Sequence, residues 1–203
     1  QGDAFTLRAA SELGMFAVSV EYRLAPETPY PGPLEDCYEG LAHLVGNAGA
    51  LNLDTDKIII GGVSAGGGLC AGLGLLVRDR GAFSVLGQLL LYPMIDDRNV
   101  AETSDTLADT LVWTRAANLF GWQSYLGDLY GRKDIPIYAA AARATDLSGL
   151  PPTYLPVGDL DLFLDENIAY AQKLTRSGIP THFHVFPGAY HGFNAFAPEA
   201  PAS

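Results

Sequence analysis

Hydrophobic positions along this chain switch repeatedly between two periods, and the switches predict helices alternating with strands. Residues 4–13 read as a helix that Gly14 stops. From Met15 to Tyr22, Phe16, Val18 and Val20 alternate with smaller residues, which predicts a first strand. The stretch Arg23–Pro33 holds four prolines and a glycine, so it is expected as an ordered loop, organised by an Arg23–Glu27 ion pair. A helix follows with Leu34, Tyr38, Leu41 and Val45 on one face. The isoleucine run beginning at Ile58 predicts a second strand, and Ala65–Arg78 a second long helix. Gly66, Gly67, Gly68, Gly72 and Gly74 lower its helix propensity but permit close approach to a sheet. Val85–Tyr92 reads as a third strand, ended by Pro93. Residues 107–128 read as an aromatic-rich helix; Trp113, Phe120, Trp122 and Tyr125 either line an apolar pocket or pack in the core. Thr153–Val157 predicts a fourth strand that contains Pro156, at the cost of a ladder hydrogen bond. Asp165 is expected to cap a helix that runs to Ser177 and stops at Gly178 and Pro180. Thr181–Phe186 reads as a fifth strand, and Pro187-Gly188 opens a loop that carries His191. The alternation implies parallel βαβ units, hence an α/β fold class with a mostly parallel sheet and helices on both faces.

The chemistry gathers at one junction of this pattern. Ile58-Ile59-Ile60-Gly61-Gly62-Val63-Ser64-Ala65-Gly66 is an apolar run, then G-x-S-x-G, then a small-residue helix. That is the grammar of a nucleophile elbow, in which a serine sits on a sharp strand-to-helix turn with its hydroxyl exposed. A chain with 23 glycines can produce G-x-S-x-G by chance. The strand–turn–helix context argues against chance, and so do an acid, Asp161, and a histidine, His191, following in the order Ser, Asp, His. The backbone N–H of Ala65, at the helix start, is a candidate oxyanion donor.

Other candidate clusters read as structure. His182 and His184 alternate along one strand without a third ligand at metal spacing, and His43 on a helix is expected to be solvent-facing or hydrogen-bonded structure. Asp159, Asp161, Asp165 and Glu166 fail as a calcium loop because Phe163 occupies the third ligand position; Asp165 and Glu166 read as charges at a helix N-terminus. The neighbours Asp96 and Asp97 suit turn and cap roles rather than a catalytic pair.

Five segments, in this order, resemble the hormone-sensitive-lipase-like branch of the α/β-hydrolases, the alpha/beta hydrolase fold-3 esterases. They are Glu21-Tyr22-Arg23-Leu24-Ala25-Pro26-Glu27, Ser64-Ala65-Gly66-Gly67, Leu91-Tyr92-Pro93-Met94-Ile95-Asp96-Asp97-Arg98, the stretch Gly158–Tyr170, and Pro187-Gly188-Ala189-Tyr190-His191-Gly192-Phe193. The resemblance implies Ser64 as nucleophile, Asp161 as acid and His191 as base. It implies a carboxylic-ester hydrolase acting on small to medium apolar acyl or aryl esters, with no metal or organic cofactor. A non-catalytic small-molecule receptor on the same fold and an inactive fragment are the alternatives. The chain departs from the family pattern at Val63, Leu162 and Leu164, and it contains no H-G-G-G loop upstream of Tyr22. From that departure, residues N-terminal to Gln1 are expected, and the chain as it stands is expected to hydrolyse esters weakly or not at all.

Bulk properties narrow the classes further. The 203 residues suit a single catalytic domain, 1–203, with 107–130 a possible helical segment near the substrate pocket. A net charge of −11, from 12 basic and 23 acidic residues, argues against a nucleic-acid partner. No apolar stretch reaches membrane-spanning length, so stable insertion is not expected. Cys37 and Cys70 fall in predicted helices and read most simply as buried free thiols, with a single disulfide between them left open. Oligomeric state and compartment stay open.

Overall fold

The computed structural model describes residues 2–99 and 112–200. Helix α1 (Gly2–Leu13) ends at Gly14, whose φ of +64° is the left-handed turn that commonly stops a helix. After a proline-rich loop come α2 (Gly32–Gly46) and the short α3 (Ala48–Leu51). Next follow β1 (Ile59–Val63), α4 (Ala65–Arg80), β2 (Gly87–Leu91) and α5 (Arg115–Leu126). The series closes with β3 (Thr153–Gly158), α6 (Leu164–Arg176), β4 (Thr181–Phe186) and α7 (Phe193–Phe196). The four strands form one parallel sheet in the order β1-β2-β3-β4, with Ile59 opposite Gly87 and Thr153 opposite Thr181. Pro156 is accommodated within β3, and its carbonyl accepts the Tyr92 N–H at 2.8 Å.

Burial of one apolar face drives this assembly. Leu34, Tyr38 and Leu41 of α2 and Leu69, Cys70, Leu73 and Leu76 of α4 meet Ile60, Leu90 and Leu155 of the sheet and Tyr170 and Leu174 of α6. The glycines of α4 allow that helix to lie unusually close to the backbone segments that carry Met94 and Tyr138. A Cβ at Gly68 would overlap the Met94 carbonyl oxygen, and one at Gly72 would overlap that of Tyr138. A second cluster, built on Met94, Trp122, Leu126, Leu162 and Phe163, sits beside it. Cys37 and Cys70 are free, and burial pushes the Cys37 thiol up to about 11 and the Cys70 thiol still higher. Among the described residues no helix is long and apolar enough to cross a membrane.

Several elements differ from the sequence reading. Residues 15–22 form no strand; among the described residues no strand pairs with them. Alternation supplies a face, but a strand also needs a neighbour for its N–H and C=O groups. Val20 instead lies over Gly40 of α2, and Tyr22 packs on the main core, while Phe16 and Val18 are exposed. Arg23 pairs with Asp36, not Glu27, through its N–H at 2.9 Å and its guanidinium at 2.7 Å. Those bonds hold the Asp36 carboxyl down at about 2. Asp165 is not the cap of α6: Phe163 occupies that position, and its N–H is taken by Asp161 Oδ1 at 2.9 Å. The expected helix at 107–128 begins at Arg115, and its first residues, 107–111, lie outside the described residues.

Candidate active site

Ser64 sits between β1 and α4 at φ +57°, ψ −120°, a conformation rare for a residue with a side chain. Three backbone bonds hold it there. Its N–H donates to the Leu91 carbonyl at 2.9 Å, and its own carbonyl accepts from Gly68 at 3.0 Å and Met94 at 3.1 Å. The turn is so tight that a Cβ at Gly62 would overlap the backbone of Gly66. Gly66 itself faces open space, bounded by the Tyr22 hydroxyl, so the steric demand falls on Gly62.

The turn after β3 supplies Asp161, 2 % exposed, and the loop after β4 supplies His191, 7 % exposed. These two residues and Ser64 come from the carboxyl ends of three strands of a parallel sheet, the end at which open α/β sheets build their sites. The side chains meet. Ser64 Oγ lies 2.8 Å from His191 Nε2, and His191 Nδ1 lies 2.8 Å from Asp161 Oδ2. A carboxylate can only accept, so the Nδ1 position carries the proton and Nε2 presents a lone pair to the serine hydroxyl. The second carboxylate oxygen of Asp161 is fixed by the Phe163 N–H. The Ala65 N–H opens helix α4 directly beside Ser64, where the helix dipole favours negative charge.

Aromatic rings enclose the imidazole. Tyr92 stands edge-on at 5.0 Å and Phe163 at 5.1 Å, while Trp113 lies at a 37° tilt, 6.3 Å away. Of the four aromatics singled out between 107 and 128, Trp113 therefore reaches this site. Trp122 is core, Tyr125 packs beside it, and Phe120 points outward. Trp113 is steadied by its Nε1–H bond to the buried Asn118 at 3.2 Å.

The remaining polar candidates are structural. His182 and His184 are exposed on β4 and His43 on α2, and among the described residues no group of three metal-ligating side chains is arranged to hold an ion. Asp96 receives the Arg98 guanidinium at 2.7 Å, and Asp97 receives Arg143 in a two-pronged contact at 2.6 and 2.8 Å. Asp159 accepts the Gly188 N–H at 2.7 Å and so anchors the start of the His191 loop. Glu166 is not a surface helix charge. Its buried carboxyl accepts from Ile95 N–H at 2.8 Å and Asp96 N–H at 3.3 Å, and burial pushes its pKa well up. Nothing in its sequence position beside Asp165 distinguishes it from an ordinary first-turn acid.

Comparison with known proteins agrees with this architecture. Residues 1–195 match the family model described as alpha/beta hydrolase fold. Carboxylesterase NlhH of Mycobacterium tuberculosis is 35% identical over 188 residues, covering 92% of this chain and 59% of that protein. Esterase LipI of the same organism is 31% identical, covering 92% and 58%. Among solved structures, a bacterial heroin esterase superposes with a TM-score of 0.96 at 44% identity, over 100% of this chain and 64% of that one. Esterase LipW from Mycobacterium marinum superposes with a TM-score of 0.90 at 37% identity, over 98% and 62%. The chain thus spans about three-fifths of the length of the relatives it matches.

Proposed function

Because the chain belongs to the alpha/beta hydrolase fold family, we propose that the protein carrying it is a serine carboxylesterase working through Ser64, His191 and Asp161. The observation that carries this reading is the continuous 2.8 Å relay from Ser64 Oγ through the imidazole to Asp161 Oδ2, mounted on a strained elbow.

The chemistry follows from the atoms. A serine hydroxyl is a weak nucleophile near neutrality and needs an adjacent base. His191 Nε2 takes its proton as Oγ attacks the ester carbonyl. Asp161 stays ionised, keeps the proton of the ring on Nδ1 and stabilises the imidazolium that forms. The Ala65 N–H donates to the oxyanion of the tetrahedral intermediate, and one such donor is worth about 10²- to 10³-fold in turnover. Collapse expels the alcohol, which takes its proton from His191. Water, activated by the same ring, then attacks the acyl group on Ser64 and releases the acid. The half-exposed Trp113 beside the ring and the apolar surroundings of His191 favour small to medium apolar acyl or aryl esters.

The test is covalent labelling with a fluorophosphonate, alongside hydrolysis of p-nitrophenyl butyrate. Labelling of Ser64 that disappears in Ser64→Ala, together with the hydrolysis, supports an esterase. If the protein that carries this chain folds but neither labels nor turns over the ester, it is a ligand receptor on this scaffold and the reading is refuted.

A further inference from the structure

His191 must be held within hydrogen-bond reach of Ser64 by a loop, and a loop positions a base well only if both its ends are tied down. The incoming end is secured to the turn after β3, by the Asp159–Gly188 bond at 2.7 Å and by the Leu160 N–H on the Ala189 carbonyl at 3.0 Å. The outgoing end passes through Gly192 at φ +75° into α7, a helix of four residues. A single turn of helix has little stability of its own.

Tyr92 crosses to that outgoing end. It follows β2 directly, is 2 % exposed, and its hydroxyl donates to Asn194 Oδ1 at 2.6 Å, three positions beyond the histidine. Its ring stands edge-on to the imidazole at 5.0 Å and touches Phe193 at 6.2 Å. Its backbone φ is +35°, a region that a bulky residue keeps only when its surroundings over-determine it. The preceding residue, Leu91, uses its carbonyl to hold the Ser64 N–H. One dipeptide at the end of β2 therefore grips the serine with its first residue and the histidine segment with its second. Burial pushes the Tyr92 phenol up to about 12, and the nearby Asp161 adds to the shift, so the hydroxyl remains a donor across the neutral range.

We propose that Tyr92 is a positioning residue. Its hydrogen bond to Asn194 fixes the outgoing arm of the His191 loop and sets the reach of the imidazole to Ser64. The proposal rests on the Ser64–His191–Asp161 reading. It concerns the reacting geometry rather than substrate affinity, because the hydroxyl is spent on Asn194.

The test compares Tyr92→Phe, Asn194→Ala and the double variant in the protein that carries this chain. The readouts are kcat and KM for p-nitrophenyl butyrate, the fluorophosphonate labelling rate of Ser64, and Tm. Each single change is expected to lower kcat and the labelling rate by about 10- to 100-fold with KM nearly unchanged, as a displacement on the order of 1 Å does. The double variant is expected to be no slower than the worse single one, because both remove the same bond. The half-buried Asn194 provides a variant that folds even if the buried Tyr92 change does not. Unchanged kcat in both single variants, or losses that multiply in the double, would overturn the proposal, as would a loss that appears in KM alone. Ser64→Ala separates the two levels. If it keeps hydrolysis and labelling, the esterase reading fails. If it is inert while Tyr92→Phe is fully active, the positioning role alone fails.

Discussion

Replacing Asp161 by asparagine probes the relay at its most buried atom. The two carboxylate oxygens have different partners: Oδ2 takes the Nδ1–H of His191 at 2.8 Å, and Oδ1 takes the Phe163 N–H at 2.9 Å. An amide offers one acceptor and one donor in the same space. If its oxygen keeps the Phe163 bond, its NH₂ faces Nδ1, and the imidazole must move its proton to Nε2, where it can no longer accept from Ser64. If the amide flips to restore the useful tautomer, its NH₂ faces the Phe163 N–H, and a buried donor goes unsatisfied at about 1–3 kcal/mol. In either orientation the negative charge that stabilises the imidazolium is gone. At a separation of about 4 Å and an effective dielectric of about 20, that attraction is worth about 4 kcal/mol. Together the losses come to about 5–7 kcal/mol, or roughly 10⁴- to 10⁵-fold in kcat at 1.36 kcal/mol per decade. This agrees with the roughly 10⁴-fold loss that the wrong tautomer causes in serine hydrolases. The assay is steady-state hydrolysis of p-nitrophenyl butyrate, with circular dichroism to show that the variant folds and titration with substrate to separate kcat from KM. A folded Asp161→Asn protein within about tenfold of the parent kcat would refute the tautomer argument.

Three further perturbations test the scaffold. Gly62→Ala drives a methyl group into the Gly66 backbone; it is expected to cost at least about 1–3 kcal/mol of stability and to slow Ser64 labelling, read by thermal melts and by a phosphonate time course. Arg143→Ala strands the buried Asp97 carboxylate, with an expected loss of about 3–5 kcal/mol in urea denaturation, and adding Asp97→Asn should recover part of it; additive losses would contradict a paired role. Glu166 tests the pH dependence. Its folded pKa is raised above the ordinary value of 4.5, mainly by burial and further by Asp96 and Asp161, so the native state holds a proton that the unfolded chain releases. The contribution is therefore present in full below 4.5 and declines as pH rises toward the folded value, and Glu166→Gln should flatten that decline in a series of melts; an unchanged slope would count against it.

The elbow was legible from the sequence because its determinants are contiguous. An apolar run, a glycine that must lack a side chain and a serine at the turn stand within nine residues, and local sterics connect them. The order of Asp161 and His191 was legible for a different reason: parallel strands deliver successive loops to one end of the sheet, so chain order becomes spatial adjacency. What stayed hidden depends on partners distant along the chain. Alternation at residues 15–22 signals an amphipathic ribbon but does not disclose whether anything pairs with it. Arg23 has Glu27 nearby in sequence, yet the fold brings Asp36 to it. Glu166 looks like a dipole-favoured charge until the turn at 95–96 closes over it. Tyr92 and Asn194 are separated by 102 positions, and no local pattern relates them.

His191 hangs from an edge ribbon of the sheet. Among the described residues β4 is flanked by β3 alone, and much of its surface faces solvent; β1 is the opposite edge, flanked by β2 alone, but Ser64 leads straight from it into α4, which places Leu69, Cys70, Leu73, Leu75 and Leu76 in the main core. Marginal elements open before the interior does. If the proposed relay holds, warming should accordingly extinguish turnover before the global melt, by peripheral fraying that leaves Ser64 seated and that cooling reverses. Heat inactivation and heat denaturation would then be two separate events.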